Sequence, residues 1–503
     1  MKYIRSSGVL MHPTSLPGKY GIGTLGKEAI KFIDFLILSG QKYWQILPLG
    51  PTGYGDSPYS SYSSVAGNPL LIDLDTLVNQ GLLLESDLID LQLPEGEVDF
   101  QQIQSTKLEI LQKAFDNFSF SSDDLLKIKF ENFCIANSFW LNDYSLFVCL
   151  KKHHKLQSWL DWSDDFRKRN PEALHRFVSE NFHAINYQKF LQFLFFQQWH
   201  EIKSYANKNE VKIIGDIPLY VALDSVDAWS NPVLFQFDED LKPEFVSGVP
   251  PDYFNSDGQL WGNPLYNWES MRKDGFSWWV NRIKNNLLLF DIIRFDHFRG
   301  LCAYWSVPAG DKTARNGKWI NAPGMELFTE IQNQLGDIPI IAEDLGMITP
   351  DVVELRTKFN LPGMKILEFA FDSGEDNDYM PHSFTRNSVV YTGTHDNNTV
   401  VGWYEGIAPH DKKLLFDYLD IDDAKIHRDG IHWIFIRLAL STVSNICIIP
   451  AQDLLGKGAA ARMNFPGTAS GNWKWRMKTH ELNKEMAKKL RFITNLYGRL
   501  HGR

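Results

Sequence analysis

Only four cysteines, Cys134, Cys149, Cys302 and Cys447, occur among 503 residues. They are dispersed, with no CxxC pair and no metal-ligand spacing, which excludes a disulfide-built secreted scaffold and predicts free, mostly buried thiols in a reducing compartment. Excess positive charge is also missing. A net charge of −10 leaves no basic stripe to displace counterions from phosphates, so no nucleic-acid partner is expected. No apolar run approaches the ~20 residues that cross a bilayer, so no membrane partner is expected either. The N-terminal MKYIRSSGVLMHP lacks the basic-then-apolar run of a signal peptide and the Arg/Ser-rich stretch of a transit peptide. The expected location is the cytoplasm, or a plastid stroma if a transit segment has been removed. No GxxxxGK[ST] occurs and no GxGxxG sits in a strand-to-helix turn, which sets aside P-loop and dinucleotide readings. HxH and HExxH are absent too, so neither a metal centre nor a cofactor is expected.

What is present is a series of apolar runs that end in acids. KIIGD ends in Asp216, FDIIRFD in Asp296, PIIAE in Glu343, SVVYTGTHD in Asp396 and ICIIPAQD in Asp453. Buried parallel strands deliver carboxylates in this way to one end of a (β/α)8 barrel, where that fold keeps its catalytic groups. Eight segments read as barrel strands: 8–12, 43–49, 212–217, 292–296, 339–344, 364–371, 389–396 and 446–453. From Asp291 onward the intervals predict about one helix each. Two earlier intervals are too long for that. Residues 75–210 read as a mostly helical insertion, and 220–290, richer in Pro, Gly, Asn and Trp, as a loop-rich insertion forming a lid. The expected architecture is therefore one elaborated α/β domain, a (β/α)8 TIM barrel over 1–503, closed by an amphipathic helix in 473–503 and with no C-terminal β-sandwich.

Within a strand, residues i and i+2 share a face, so Arg294 and Asp296 both enter the barrel mouth. A carboxylate held ionised by an arginine is a candidate nucleophile, although an RxD pair standing alone is more often a barrel-end salt bridge. In AEDLG, Glu343 and Asp344 point opposite ways; one faces the cavity, and the alternative role for either is a helix cap. In THDN, His395 and Asp396 can hydrogen-bond sugar hydroxyls, and Asp396 adds negative charge that would raise the pKa of the glutamate and keep it protonated as a general acid. Aromatics make up 14 % of the chain, with 16 Trp, and suit the stacking of sugar rings as well as an ordinary core.

RFDHFRG, AEDLG and THDN, in that order, resemble the catalytic motifs of the α-amylase clan. HPTSLPGKYGIGTLG at 12–26, LPLGPTGYGDSPYSSYSSVAGNPLLIDL at 47–74, GDIPLYVALDSVDAW at 215–229, PPDYFNSDGQLWGNPLYNW at 250–268 and ARMNFPGTASGNWKWRM at 461–477 narrow the resemblance. Together they are similar to the 4-α-glucanotransferases, the amylomaltase or disproportionating-enzyme family, from about residue 5 to 480 and most weakly over 85–200. The resemblance implies a retaining enzyme that moves segments of α-1,4-glucans (maltooligosaccharides, starch or glycogen-derived) to the 4-hydroxyl of another glucan or of glucose. It implies Asp296 as nucleophile, Glu343 as general acid/base and Asp396 as the carboxylate that stabilises the transition state. Retention requires the first two carboxyls to lie roughly 5–5.5 Å apart. It further implies substrate contacts from Tyr54, Tyr59, Asp216, Gln259, Trp261, Arg294, His395 and Asn464, with Gly258 and Gly262 as points of movement in the loop over the acceptor side. A hydrolase of the same clan and a non-catalytic glucan-binding protein are the alternatives; intact Asp296 and Glu343 count against the second.

Overall fold

The computed structural model describes residues 3–500 apart from 92, 94, 252–254, 375 and 469, and only the backbone of Tyr54 and Asp90. Twelve strands are formed among them: β1 (Ser6–Leu10), β2 (Tyr43–Gln45), β3 (Lys212–Ile217), β4 (Phe245–Val249), β5 (Gln259–Pro264), β6 (Ile292–Phe295), β7 (Ala303–Pro308), β8 (Lys318–Asn321), β9 (Ile340–Ala342), β10 (Gly363–Ile366), β11 (Ser388–Tyr391) and β12 (Ile446–Pro450). Eight pair in parallel in the order β10-β11-β12-β1-β2-β3-β6-β9. Ile, Val and aromatic residues dominate these runs, and β1, β6, β11 and β12 are buried along their whole length, as strands covered on both faces must be. The two ends of the order meet where the Ala342 N–H donates to the Pro362 carbonyl at 2.9 Å and the Met364 N–H to the Asp344 carboxylate at 2.7 Å. The result is a (β/α)8 barrel, and all eight predicted strands are in it. They end earlier than the sequence suggested: after Phe295, Ala342 and Tyr391 the chain leaves the ladder, so Asp296, Glu343 and Asp396 stand on the turns beyond the strands.

Between β2 and β3 lie the helices Phe100–Phe120, Asp124–Ala136, Ser138–His153, Pro171–Glu180 and Phe182–Lys208. Asp99, Asp123 and Asn170 start three of them by accepting from backbone N–H groups of the first turn. The long helix Phe182–Lys208 joins this layer to the barrel. Its buried Gln192 bonds both the N–H and the carbonyl of Gly67, at 2.8 and 2.9 Å. Gln198 does the same at Asp73, at 2.7 and 3.1 Å. These two clamps fix the segment after β2, which carries Tyr59 and is built of loop and short 3-10 turns.

A second sheet is antiparallel, in the order β5-β4-β7-β8. It corrects two expectations. Gln259 and Trp261 stand on β5, an edge strand, rather than in a loop. The interval after β6 holds the β7–β8 hairpin as well as the helix Gly324–Leu335, whereas the described residues between β10 and β11 form only two short 3-10 turns and those between β11 and β12 four α-helices. The spacing of GIGTLG at 21–26 fits GxGxxG and precedes the helix Lys27–Ser39, but a ten-residue excursion separates its first glycine from β1, and the Asp73 carboxylate, held by the Thr24 hydroxyl at 2.7 Å, lies against Gly26 at the helix N-terminus. That end is already occupied by an anion. Beyond β12 the described elements are short turns and the closing helix Lys484–Leu496. No described helix is long and apolar enough to cross a membrane.

Candidate active site

The parallel register sets Asp216 of β3 directly beside Arg294 of β6, and Arg294 beside Ile341 of β9. Asp216 and Arg294 therefore meet inside the barrel mouth, both buried, with Arg294 Nη1 at 2.8 and 2.7 Å from the two Asp216 oxygens. The same Nη1 lies 2.9 Å from Asp296 Oδ1, the i+2 geometry anticipated for RFD. Burial opposes the Arg294 charge, but Asp216 and Asp296 on either side more than offset it. Burial likewise raises the Asp216 carboxyl, to about 6, against the pull of Arg294 and of the Tyr59 hydroxyl, which donates to it at 2.8 Å; it stays ionised at neutral pH.

In AEDLG the two acids do face opposite ways. Asp344 turns outward, taking the Met364 N–H and pairing with Arg356 at 3.3 Å. Glu343 turns to the mouth, where Oε2 accepts from the His297 N–H at 2.7 Å and Oε1 from the Leu345 N–H at 3.0 Å. Neither acid caps the next helix, which starts at Pro350 after Thr349. The Glu343 carboxyl is held well above the usual range, first by burial and then by the charge of Asp296, with Arg294 and the two N–H groups working against this. The like charge is thus Asp296, not Asp396 as the sequence suggested, because Asp396 lies across the mouth with its own partners. His395 Nε2 is 3.3 Å from Asp396 Oδ2, and Asn464 Nδ2 donates to Oδ1 at 2.6 Å. Burial alone would raise Asp396, but His395, Asn464 and Arg294 together hold it well below the usual carboxylate range. One site thus holds a glutamate whose carboxyl is raised and an aspartate whose carboxyl is lowered.

The Tyr59 ring stacks on His395, with centroids 5.2 Å apart and planes 15° from parallel, and Trp473 closes against both. Asp296, Asp396, Tyr59, Gln259, Trp261 and Asn464 share a cleft of about 430 Å³. Trp261, 38 % exposed, is tied to Gln259 by an Nε1-to-Oε1 bond of 3.1 Å. Gly258 and Gly262 flank it with φ of +66° and +75°, and a Cβ at Gly258 would lie 2.4 Å from the Val249 carbonyl. The predicted residues are thus brought together, with one exception: the Tyr54 side chain lies outside the described residues. Among those described, no group of three or more His, Cys, Asp or Glu side chains is arranged to hold a metal ion.

Among the cleft residues that were not anticipated, three carry aromatic or imidazole rings: Tyr220, His297 and Trp473. Each falls inside a quoted block, and His297 directly follows Asp296, but none is an acid or a strand end, so the pattern that found the others passed over them. His297 has φ +52° and ψ +48°, a left-handed backbone that costs a non-glycine residue about 1–2 kcal/mol. Its ring fits because Gly300 is bare: a Cβ there would come 2.8 Å from His297 Cδ2.

Comparison with known proteins decides the family. A family model described as 4-alpha-glucanotransferase matches residues 11–482. The chain belongs to the 4-alpha-glucanotransferase family. It is 49 % identical over 500 residues to the 4-alpha-glucanotransferase of a Synechocystis strain, covering 98 % of each chain. With that of Thermus thermophilus it shares 45 % over 503 residues, 99 % of this chain and 100 % of the relative. The amylomaltase from Streptococcus agalactiae, solved in complex with acarbose, superimposes with a TM-score of 0.95 at 40 % identity, over 99 % of this chain and 100 % of that one. The chain is an enzyme of this transferase class.

The Asp216–Arg294 pair gives a stability test within the family fold. Arg294→Met leaves the Asp216 carboxylate buried with one hydroxyl donor, and removing one partner of a buried pair costs about 3–5 kcal/mol. Chemical denaturation should register that loss, and Asp216→Asn in the same chain should recover part of it.

Proposed function

We propose that this enzyme cleaves an α-1,4 bond of a maltooligosaccharide or starch-like glucan, retains the non-reducing fragment covalently, and passes it to the 4-hydroxyl of a second glucan or of glucose. In the first half, an Asp296 oxygen attacks C1 of the sugar while Glu343 gives its proton to the departing glycosidic oxygen. In the second, the ionised Glu343 takes the proton of the acceptor hydroxyl, whose oxygen attacks C1 and displaces Asp296, restoring the α configuration. The observation that carries this is the environment of the two groups: Asp296 is ion-paired to Arg294 at 2.9 Å, and Glu343 is raised by burial and by Asp296. Those are the states the first half needs. Asp396, His395 and Asn464 offer a charged, hydrogen-bonded wall for hydroxyls of the sugar at the cleaved bond, and Tyr59 braces Asp216 and His395 behind it.

Transfer prevails over hydrolysis when an acceptor is positioned and water is kept out. Gln259 and Trp261, carried over the cleft on edge strand β5 between left-handed glycines, supply a platform and a cover. The relatives' names, 4-alpha-glucanotransferase and amylomaltase, support the same reading. A cytoplasmic setting belongs to it and is supported by four free cysteines. Incubation with maltotriose tests the whole. A ladder of longer maltodextrins plus glucose, at constant total reducing ends, is the expected result; rising reducing ends without longer products would make the enzyme a hydrolase.

A further inference from the structure

His297 joins the two functional halves of the cleft. Its backbone N–H donates to Glu343 Oε2 at 2.7 Å. Its ring stands edge-on to Trp261, centroids 4.8 Å apart and planes at 83°. The ring nitrogen Nε2 is buried and makes no hydrogen bond, so the imidazole is held by packing, between Trp261, Tyr220 and the bare backbone of Gly300. The Phe298 N–H also donates, at 3.1 Å, to the Glu343 carbonyl. A residue in a left-handed turn whose side chain rests on the sugar platform and whose amide grips the acid has one stiff link between them.

We propose that His297 is a positioning residue that couples acceptor binding at Trp261 to the Glu343 carboxyl. The coupling rests on the transfer reading and on Trp261 as the acceptor's platform. A sugar stacking on the indole fixes its position, the indole fixes the imidazole, and the imidazole fixes the turn that presents the N–H. An N–H donated to a carboxyl favours its charged form. An acceptor seated on Trp261 therefore holds this 2.7 Å bond in place in the second half-reaction, when Glu343 must be a carboxylate to take the acceptor's proton.

A double-mutant cycle on the ratio of transfer to hydrolysis tests this. The variants are Trp261→Ala, His297→Asn and both together, assayed with maltotriose as donor and glucose as added acceptor. Asparagine tolerates a left-handed backbone and removes the ring; His297→Gly serves the same end if His297→Asn does not fold. Each single change should lower the ratio about tenfold, and the double variant should be no lower than the worse single one, because both cut the same link. A ratio unchanged in His297→Asn, or a double variant about a hundredfold down, overturns the proposal. A merely structural histidine would depress transfer and hydrolysis together and leave the ratio where it was. If the unmodified enzyme makes no longer maltodextrins, it is the transfer reading that fails, and the cycle is not what decides it.

Discussion

Asp296→Asn should stop turnover, by at least about 10⁴-fold, the scale on which removing the nucleophile of a concerted catalytic group acts. Glucan binding should survive within about tenfold, or 1.4 kcal/mol, because the Tyr59, Asn464 and Trp261 walls of the cleft do not depend on that carboxylate. The amide is close in shape but is a poor nucleophile, and its neutral oxygen pairs weakly with Arg294. Arg294 keeps its bidentate contact with Asp216, so the barrel mouth should stay folded, and the thermal midpoint should move far less than in Arg294→Met. Calorimetric titration with a maltooligosaccharide, beside the maltotriose assay, separates the two effects. Full activity in a sample shown by mass to be free of deamidation would refute the nucleophile assignment.

Glu343→Gln should cost about 10²–10⁴-fold, the range of a lost general acid, and the cost should depend on the leaving group. A sugar alkoxide needs the proton, whereas fluoride from a maltosyl fluoride leaves without it, so the first half-reaction should be largely restored with the fluoride donor. The sign of the pH effect follows from the raised Glu343 carboxyl. Protonated below its pKa and ionised above it, the acid supports the first half below that raised value and fails as pH climbs through it. The basic limb of the wild-type profile should accordingly disappear in Glu343→Gln. A limb that remained, or a fluoride donor no better than maltotriose, would remove Glu343 from the acid role.

The barrel could be read from the chain because its strands are buried on both faces: such runs as KIIGD and ICIIP have to be apolar throughout and then stop at a polar mouth. Arg294 and Asp296 were legible for the same reason, the two-residue period of a strand. Register was not. That Asp216 lies beside Arg294 is settled by which strand pairs with which, over 78 positions of sequence separation, and no local pattern encodes it. The charge that raises Glu343 was assigned to the wrong aspartate for this reason too. The antiparallel sheet escaped notice because β5 is interrupted by Gly262 and Pro264 and β8 is fully exposed, so neither carries an alternating apolar signal. His297 was hidden differently: its role comes from a backbone angle and an amide, and a side-chain motif contains neither.

The closing seam of the barrel lies on the far side of β9 from Asp296. Toward β6, β9 is registered through Ile293 with Ile340, Arg294 with Ile341 and Phe295 with Ala342; toward β10 it is held by the Ala342 amide and the Asp344 carboxylate. The spacing between the Asp296 and Glu343 carboxyls is therefore set across the continuous β6–β9 ladder, while the seam of the ring falls on the other side of β9. One hydrogen-bonded ladder thus sets the distance across which the chemistry is proposed to run, and the break in the ring is placed next door.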